Sequence, residues 1–288
     1  MEKKYNAKDI FIALLISCAY ILVWFAVQYV VIFTAELILI LSNPNDIEKA
    51  ISIIFSNSLL ITAFCNILTV LIICLFFKIR SKSVRERVNL HNAPQNVLLS
   101  SFLLGLGAQI MVIIILSRIP MPESWTQTHN ENYSSVSAFS LVSILTVVFI
   151  APIVEEFIFR GLVLNRLCRK MPPWVAIIIS AFAFGAVHGE IYAFIYAFLV
   201  GILMGWIFIK FDSVIPTMLF HIGFNGLSLL LSLFIDLPML QILLIFGGVA
   251  LFVYEMVCII RYPKISNVPI EIIPEMPNEN MGQNNHFE

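Results

Sequence analysis

Charged residues are scarce in this sequence. Asp, Glu, Lys and Arg make up 12% of its 288 residues, whereas average soluble domains contain about 25%. Hydrophobic residues make up 60%, and the mean hydropathy is +0.94. This composition excludes an ordinary soluble domain and indicates a protein that spans a lipid bilayer several times. No basic stripe with interleaved aromatic residues is present, so we expect no nucleic-acid partner.

Paired cysteines are also lacking. The five cysteines fall inside apolar runs or at their ends, and no Cys-x-x-Cys pair occurs among them. This spacing excludes a disulfide framework and a zinc ribbon. We interpret all five as small buried hydrophobic residues. They are Cys18, Cys65, Cys74, Cys168 and Cys258.

A cleavable signal peptide is not predicted at the N-terminus. Three lysines precede an apolar run that extends from Ile10 to about Thr34. The apolar part of a signal peptide is only about 7 to 15 residues long. We therefore interpret this run as an uncleaved first transmembrane helix.

Long apolar windows determine the fold class. A helix needs about 20 residues to cross a bilayer, and eight windows approach that length. We predict an all-α fold, a polytopic membrane helix bundle of about eight transmembrane helices over residues 1–262. Residues 263–288 are rich in proline and asparagine and are predicted to form a disordered cytoplasmic tail. The windows are residues 10–35, 58–77, 96–117, 138–162, 174–190, 191–210, 214–234 and 239–260.

The positive charges predict the orientation, because Lys and Arg accumulate on the cytoplasmic side of membrane proteins. With both termini in the cytoplasm, the cytoplasmic segments hold fourteen of the seventeen cations. The opposite side holds only Lys49 and Arg118, and Arg160 lies within the bilayer. We therefore expect a multi-pass cell-membrane protein with an even number of spans. The polar segment 118–137 is expected to lie on the outer bilayer surface.

Three charged residues lie in the middle of the fourth window. Glu156 and Arg160 are four residues apart, so they share a helix face and are predicted to form a salt bridge. Glu155 is rotated about 100° from that pair and is predicted to be free. A structural ion pair explains Glu156 and Arg160, but it does not explain Glu155. Pro152, just before these residues, predicts a break in the helix.

Two other windows supply polar partners. His188 follows Phe184 by four residues in the fifth window, and His221 and Asn225 are four apart in the seventh. Each of these residues alone is explained by an interhelical hydrogen bond. Together they suggest a site, since the other three histidines lie in predicted loops or the tail.

The spaced motifs Glu-Glu-x-x-x-Arg, Phe-x-x-x-His and His-x-x-x-Asn resemble those of the CPBP intramembrane proteases, also called Abi or CAAX-protease-like proteins. The resemblance covers about residues 140–230. It implies a hydrolase in which Glu155 and His188 activate water, while His221 and Asn225 stabilise the oxyanion. Glu156 and Arg160 would then brace the site. The implied partners are the lipid bilayer and a membrane-anchored protein or peptide substrate.

A zinc ion is a further possibility, because members of this family have been described both as metalloproteases and as glutamate proteases. The His-Glu-x-x-His motif is missing, asparagine is a poor zinc ligand, and Arg160 would repel a dication. We therefore predict catalysis without a metal or other cofactor. If a metal is present, its predicted ligands are Glu155, His188 and His221.

Two functions of other classes remain open. Intact motifs do not guarantee that a protein turns over a substrate. A non-catalytic bacteriocin-immunity or binding protein is therefore an alternative. A transporter is a third, because ionisable residues near the membrane midplane can form an ion path. The polar residues here are confined to three windows, and no repeated halves are visible. The substrate and the oligomeric state cannot be predicted from the sequence.

Overall fold

The computed structural model describes residues 5–42, 46–136, 140–231 and 238–265. Within these ranges the chain is almost entirely helical and contains no strand, which confirms the all-α class. The helices are α1 (Ala7–Ser42), α2 (Ile47–Ser56), α3 (Ser58–Ile79), α4 (Val84–Arg87), α5 (Gln95–Arg118), α6 (Glu123–Val136), α7 (Leu141–Cys168), α8 (Pro173–Ala186), α9 (Ile191–Phe211), α10 (Ile215–Leu231) and α11 (Pro238–Arg261).

Six helices in the described ranges are long and apolar enough to cross a membrane: α1, α3, α5, α7, α9 and the Ile242–Arg261 part of α11. The helices α8 and α10 are apolar but have only 14 and 17 residues. Each occupies one of the eight predicted windows. The structure therefore shows a helical membrane protein, while the count of eight spans stays a prediction.

The surface of the bundle is apolar. Phe55, Phe246 and Leu22 are 75%, 73% and 64% exposed, whereas Glu156 and Arg160 are buried. In water such a surface would drive aggregation, but against acyl chains it is the favourable one. The bundle thus has the polarity expected in a bilayer.

Helix α7 combines two kinds of turn. Its central piece, Ala151–Glu156, is α-helical, and the flanking pieces Ile144–Ile150 and Phe157–Leu164 are π-helical. The predicted break at Pro152 is wrong, because the helix continues through this residue. Proline lies in the first turn of the α-helical piece. The preceding π-helical turn accommodates the backbone hydrogen bond that proline cannot donate.

Three further features differ from the sequence prediction. Segment 118–137 contains helix α6, which starts after Pro122 and was not predicted, while the location of the segment on the outer bilayer surface stays a prediction. The short helix α2 was not predicted, and its first turn is capped by the Asp46 carboxylate, which accepts from Lys49 N–H at 3.0 Å. Helix α8 ends at Ala186, four residues before the predicted window does.

Helices α5 and α10 approach each other very closely. A Cβ atom on Gly105 would collide with the carbonyl group of Phe220, and a Cβ on Gly223 would collide with that of Phe102. Small residues allow such backbone contact between membrane helices. The contact fixes the rotation of α10, and therefore the direction in which His221 and Asn225 point.

The helix ends predicted to be cytoplasmic lie together at one end of the bundle. Lys170, after α7, forms a 3.0 Å ion pair with Asp9 of α1. Lys210 of α9 donates to the Ile260 carbonyl of α11 at 3.0 Å. The contacts agree with alternating helix directions, and the side of the membrane that this end faces remains a prediction. Of the predicted disordered tail, residues 263–288, only residues 263–265 are described, and the remainder lies outside the described residues.

Candidate active site

The innermost part of the site is an ion pair on α7. The Arg160 guanidinium donates from Nη1 to Glu156 Oε1 at 2.7 Å, and the two side chains are 1% and 0% exposed. Nη2 donates to the carbonyl of Gly201 on α9 at 3.3 Å. The guanidinium also lies 4.4 Å from the centre of the Phe184 ring, a cation–π contact. The salt bridge predicted from the four-residue spacing is therefore present.

His221 connects the two adjacent carboxylates of α7. Its Nδ1 lies 3.0 Å from Glu156 Oε1, and its Nε2 lies 3.8 Å from Glu155 Oε2. A neutral ring carries one proton, so it can donate to only one of the two carboxylates. A doubly protonated ring donates through Nδ1 to Glu156 and presents a second N–H toward Glu155. Either form can donate through Nδ1 to Glu156, and the 3.8 Å separation between Nε2 and Glu155 is too long for a hydrogen bond.

Glu155 differs from Glu156 in its surroundings. Its side chain is 17% exposed, and its one ion-pair contact in the described part of the chain is with His221. Its neighbour Glu156 already shares one oxygen between Arg160 and His221. The carboxylate of Glu155 is thus the one with access to a small molecule, as expected from its position on the helix.

His188 lies just beyond the end of α8. The structure places it in a turn, where Nδ1 is 2.8 Å from the carbonyl oxygen of Phe184. A carbonyl only accepts, so Nδ1 carries the proton and Nε2 of a neutral ring is left with a lone pair. The Phe184 ring lies edge-on to both imidazoles, with centroid distances of 5.0 Å to His188 and 5.7 Å to His221. One phenyl ring therefore contacts both histidines.

Asn225 lies one helical turn beyond His221 on α10. Its Nδ2 donates to the Val147 carbonyl at 2.9 Å, within the first π-helical piece of α7. Both polar residues of α10 thus contact α7, which agrees with the shared helix face that their four-residue spacing predicts. In the wider turns of α7 the Val147 carbonyl accepts a side chain from another helix.

The structure brings the predicted residues together unequally. Glu156, Arg160 and His221 form one buried network, and Glu155 lies at its edge. Glu155 and His188, predicted to work as a pair, share no hydrogen bond within the described ranges. Their cooperation would require a bridging water or substrate.

Three contributors were not predicted. The carbonyls of Gly201 and Val147 accept from Arg160 and Asn225, and no sequence signal marks a backbone acceptor. Tyr196 of α9 has its ring centre 6.3 Å from that of His188. Tyr192 and Tyr196 are four residues apart inside an apolar window, and this spacing indicates that both tyrosines lie on one face of α9.

The arrangement does not suit a metal ion. Among the described residues, no three His, Cys, Asp or Glu side chains are grouped so that they could hold one. The alternative ligand set of Glu155, His188 and His221 is therefore not assembled. Glu156, the carboxylate closest to His221, is neutralised by Arg160, whose charge opposes a dication.

Fold and site together define an α-helical membrane protein with two adjacent carboxylates and two imidazoles inside its bundle. Residues 137–227, about a third of the chain, match the family model described as type II CAAX prenyl endopeptidase Rce1-like. The match confirms the resemblance to the CPBP, or CAAX protease, family for this segment. It contains every residue of the candidate site. No curated protein and no solved structure matches the chain.

Proposed function

We propose that this protein is an intramembrane endopeptidase that hydrolyses a peptide bond in a membrane-anchored protein or peptide. The observation that carries the proposal is the contact of His221 with both Glu155 and Glu156 inside an apolar bundle. The family match supports it, because the matched family consists of CAAX-type endopeptidases.

Glu155 serves as the general base. It takes a proton from a water molecule, and the resulting hydroxide forms a bond to the carbonyl carbon of the peptide. Two features favour this role for Glu155 over Glu156: its side chain is partly exposed, and among the described residues it forms no ion pair with an arginine. A positioned general base contributes about 10²- to 10⁴-fold to a rate.

His188 assists at the other side of the water. Because the backbone carbonyl of Phe184 accepts from Nδ1–H, the Nε2 lone pair of a neutral His188 ring can accept a hydrogen bond from the same water. When the tetrahedral intermediate collapses, the C–N bond breaks. The proton held by Glu155 then passes to the departing amine.

His221 and Asn225 stabilise the oxyanion. A doubly protonated His221 presents Nε2–H away from Glu156, and the amide of Asn225 has a second N–H besides the one given to Val147. Donors that are fixed before the reaction stabilise the developing charge without reorganising. Glu156 and Arg160 fix the His221 ring and so act as positioning residues.

Comparison of membrane fractions tests the proposal. Cells that express the wild type are compared with cells that express Glu155→Ala, and new peptide termini are identified by mass spectrometry. We expect at least one terminus from a membrane-associated protein that depends on Glu155. The His188→Ala variant should lose the same terminus, with both variants folded and expressed.

Glu36→Ala is the matched control, since it removes a carboxylate from α1, outside the site. It should retain the wild-type termini. Identical termini in the wild type, Glu155→Ala and His188→Ala would contradict the endopeptidase proposal. If cells that express Glu155→Gln show the same phenotype as cells that express the wild type, a non-catalytic binding role would instead be favoured.

A further inference from the structure

Three arginines line a small cleft at the far end of α7. The cleft lies between α1, the α4 segment and α7, and it is separate from the candidate active site. Arg166 is ten residues beyond Glu156 along the helix, which corresponds to about 15 Å. The polar residues that line the cleft are Tyr20, Arg87, Asn165, Arg166 and Arg169.

The positive charge of this cleft is only partly compensated by the described residues, since Asp212 is within electrostatic reach of Arg169. Within the part of the chain that the structure describes, none of Arg87, Arg166 and Arg169 forms an ion pair. The Nε atom of Arg166 is buried without a hydrogen-bond partner there. Buried N–H groups in native proteins nearly always have a partner, so this one indicates a ligand that supplies it.

Two carboxylates of neighbouring segments make other contacts. Asp212 accepts from Asn89 Nδ2 at 2.5 Å, and Asp9 pairs with Lys170. Burial lowers the pKa of Arg169, the like charges of Arg87 and Arg166 lower it further, and the carboxylate of Asp212 partly opposes this by raising it. An arginine remains a cation at neutral pH despite such a shift. Three cations are therefore held close together.

The backbone around the cleft is fixed by hydrogen bonds. Asn165 Nδ2 donates to the Arg87 carbonyl and to Asn89 Oδ1, both at 2.8 Å. These bonds join the segment after α4 to the end of α7 and hold Arg87 opposite Arg166. The backbone that carries Arg87 and Arg166 is thus fixed; both side chains are half-buried, whereas Arg169 is exposed.

We propose that this cleft binds a phosphate group. Guanidinium groups bind phosphate through paired N–H donors, and three of them can surround a tetrahedral anion. The Tyr20 hydroxyl, which also lines the cleft, is a further donor. The phosphate can come from a phospholipid headgroup or from soluble phosphate, and this chemistry is common to both.

Binding is measured on the full-length protein purified in a neutral detergent. One arm titrates inorganic phosphate against chloride at equal ionic strength, and the other titrates phosphatidylglycerol against phosphatidylcholine. Native mass spectrometry and thermal unfolding report the bound state. We expect saturable binding in at least one arm, and Arg166→Gln should weaken it about tenfold or more.

Arg80→Gln is the matched control, because Arg80 is exposed at the same end of the bundle and does not line the cleft. It should leave the affinity unchanged. Phosphate binding in solution would identify a soluble ligand, and binding of phosphatidylglycerol alone would identify a headgroup. Both outcomes support the proposal.

A second readout separates binding from a merely structural role. Without phosphate, Arg169→Gln relieves repulsion and should raise the unfolding temperature, whereas with saturating ligand it should lower the stabilisation that the ligand gives. This variant also replaces Arg166→Gln if the latter does not fold. Absence of saturable binding in both arms, or equal affinities in the wild type and Arg169→Gln, would overturn the proposal.

Discussion

Among the single residues of the site, His221 makes the contacts on which the others depend. It receives its orientation from Glu156, which in turn is held by Arg160, and it places a ring nitrogen 3.8 Å from Glu155. A buried pair contributes little net stability when intact, but removal of one partner leaves an uncompensated charge. Individual substitutions can therefore distinguish bracing from catalysis.

Replacement of Arg160 with methionine should destabilise the protein by about 3 to 5 kcal/mol, because Glu156 would remain buried beside His221. The double variant Glu156→Gln with Arg160→Met should recover part of this loss. Unfolding in detergent measures both. Arg118→Met, at the end of α5, is the control and should change stability little. A loss in Arg160→Met no greater than in the control would contradict the bracing role.

Asn225→Ala should lower kcat by about 10²- to 10³-fold with little change in KM, since an oxyanion donor acts mainly in the transition state. The measurement uses a peptide identified in the membrane comparison. Asn66→Ala provides a contrast, because Asn66 accepts from Trp24 Nε1 at 2.8 Å between α1 and α3. It should lower stability by about 1 kcal/mol and leave kcat unchanged. A change in KM alone in Asn225→Ala would exclude the oxyanion role.

At the scale of helices, the close approach of α5 and α10 determines where His221 and Asn225 point. Gly105 should not tolerate a methyl group, since its Cβ would collide with the Phe220 backbone. Gly105→Ala should destabilise the protein by about 1 to 3 kcal/mol and reduce cleavage. Gly247→Ala, on α11, has open space around its Cβ and should be neutral. Equal stability of the two variants would show that the contact is dispensable.

The sequence predicts some elements well for physical reasons. A run of about 20 apolar residues has few alternatives to a membrane helix, so α3, α5, α9 and α11 begin and end within two residues of their windows. The Glu156–Arg160 salt bridge is predictable as well, because it depends only on the four-residue spacing within one helix. By contrast, the π-helical turns of α7, the short helices α2 and α6, and the contact of His221 with Glu156 depend on tertiary packing. No local pattern encodes them.

For the whole molecule, the gathering of basic helix ends at one end of the bundle leads to a test of orientation. In a variant without the five native cysteines, Arg85→Cys should react with a membrane-impermeant maleimide only after intact cells are permeabilised. Lys49→Cys should react in intact cells. The reverse pattern would place both termini outside and would contradict the predicted topology.

The short helix α8 has a consequence for the surrounding membrane. Trp174, Ile178 and Phe182 are exposed along one side of it, yet its 14 residues extend only about 21 Å. The hydrocarbon core of a typical bilayer is about 30 Å thick. The bilayer beside this helix is expected to become locally thinner to reduce hydrophobic mismatch. Lipids with shorter tails should therefore collect there.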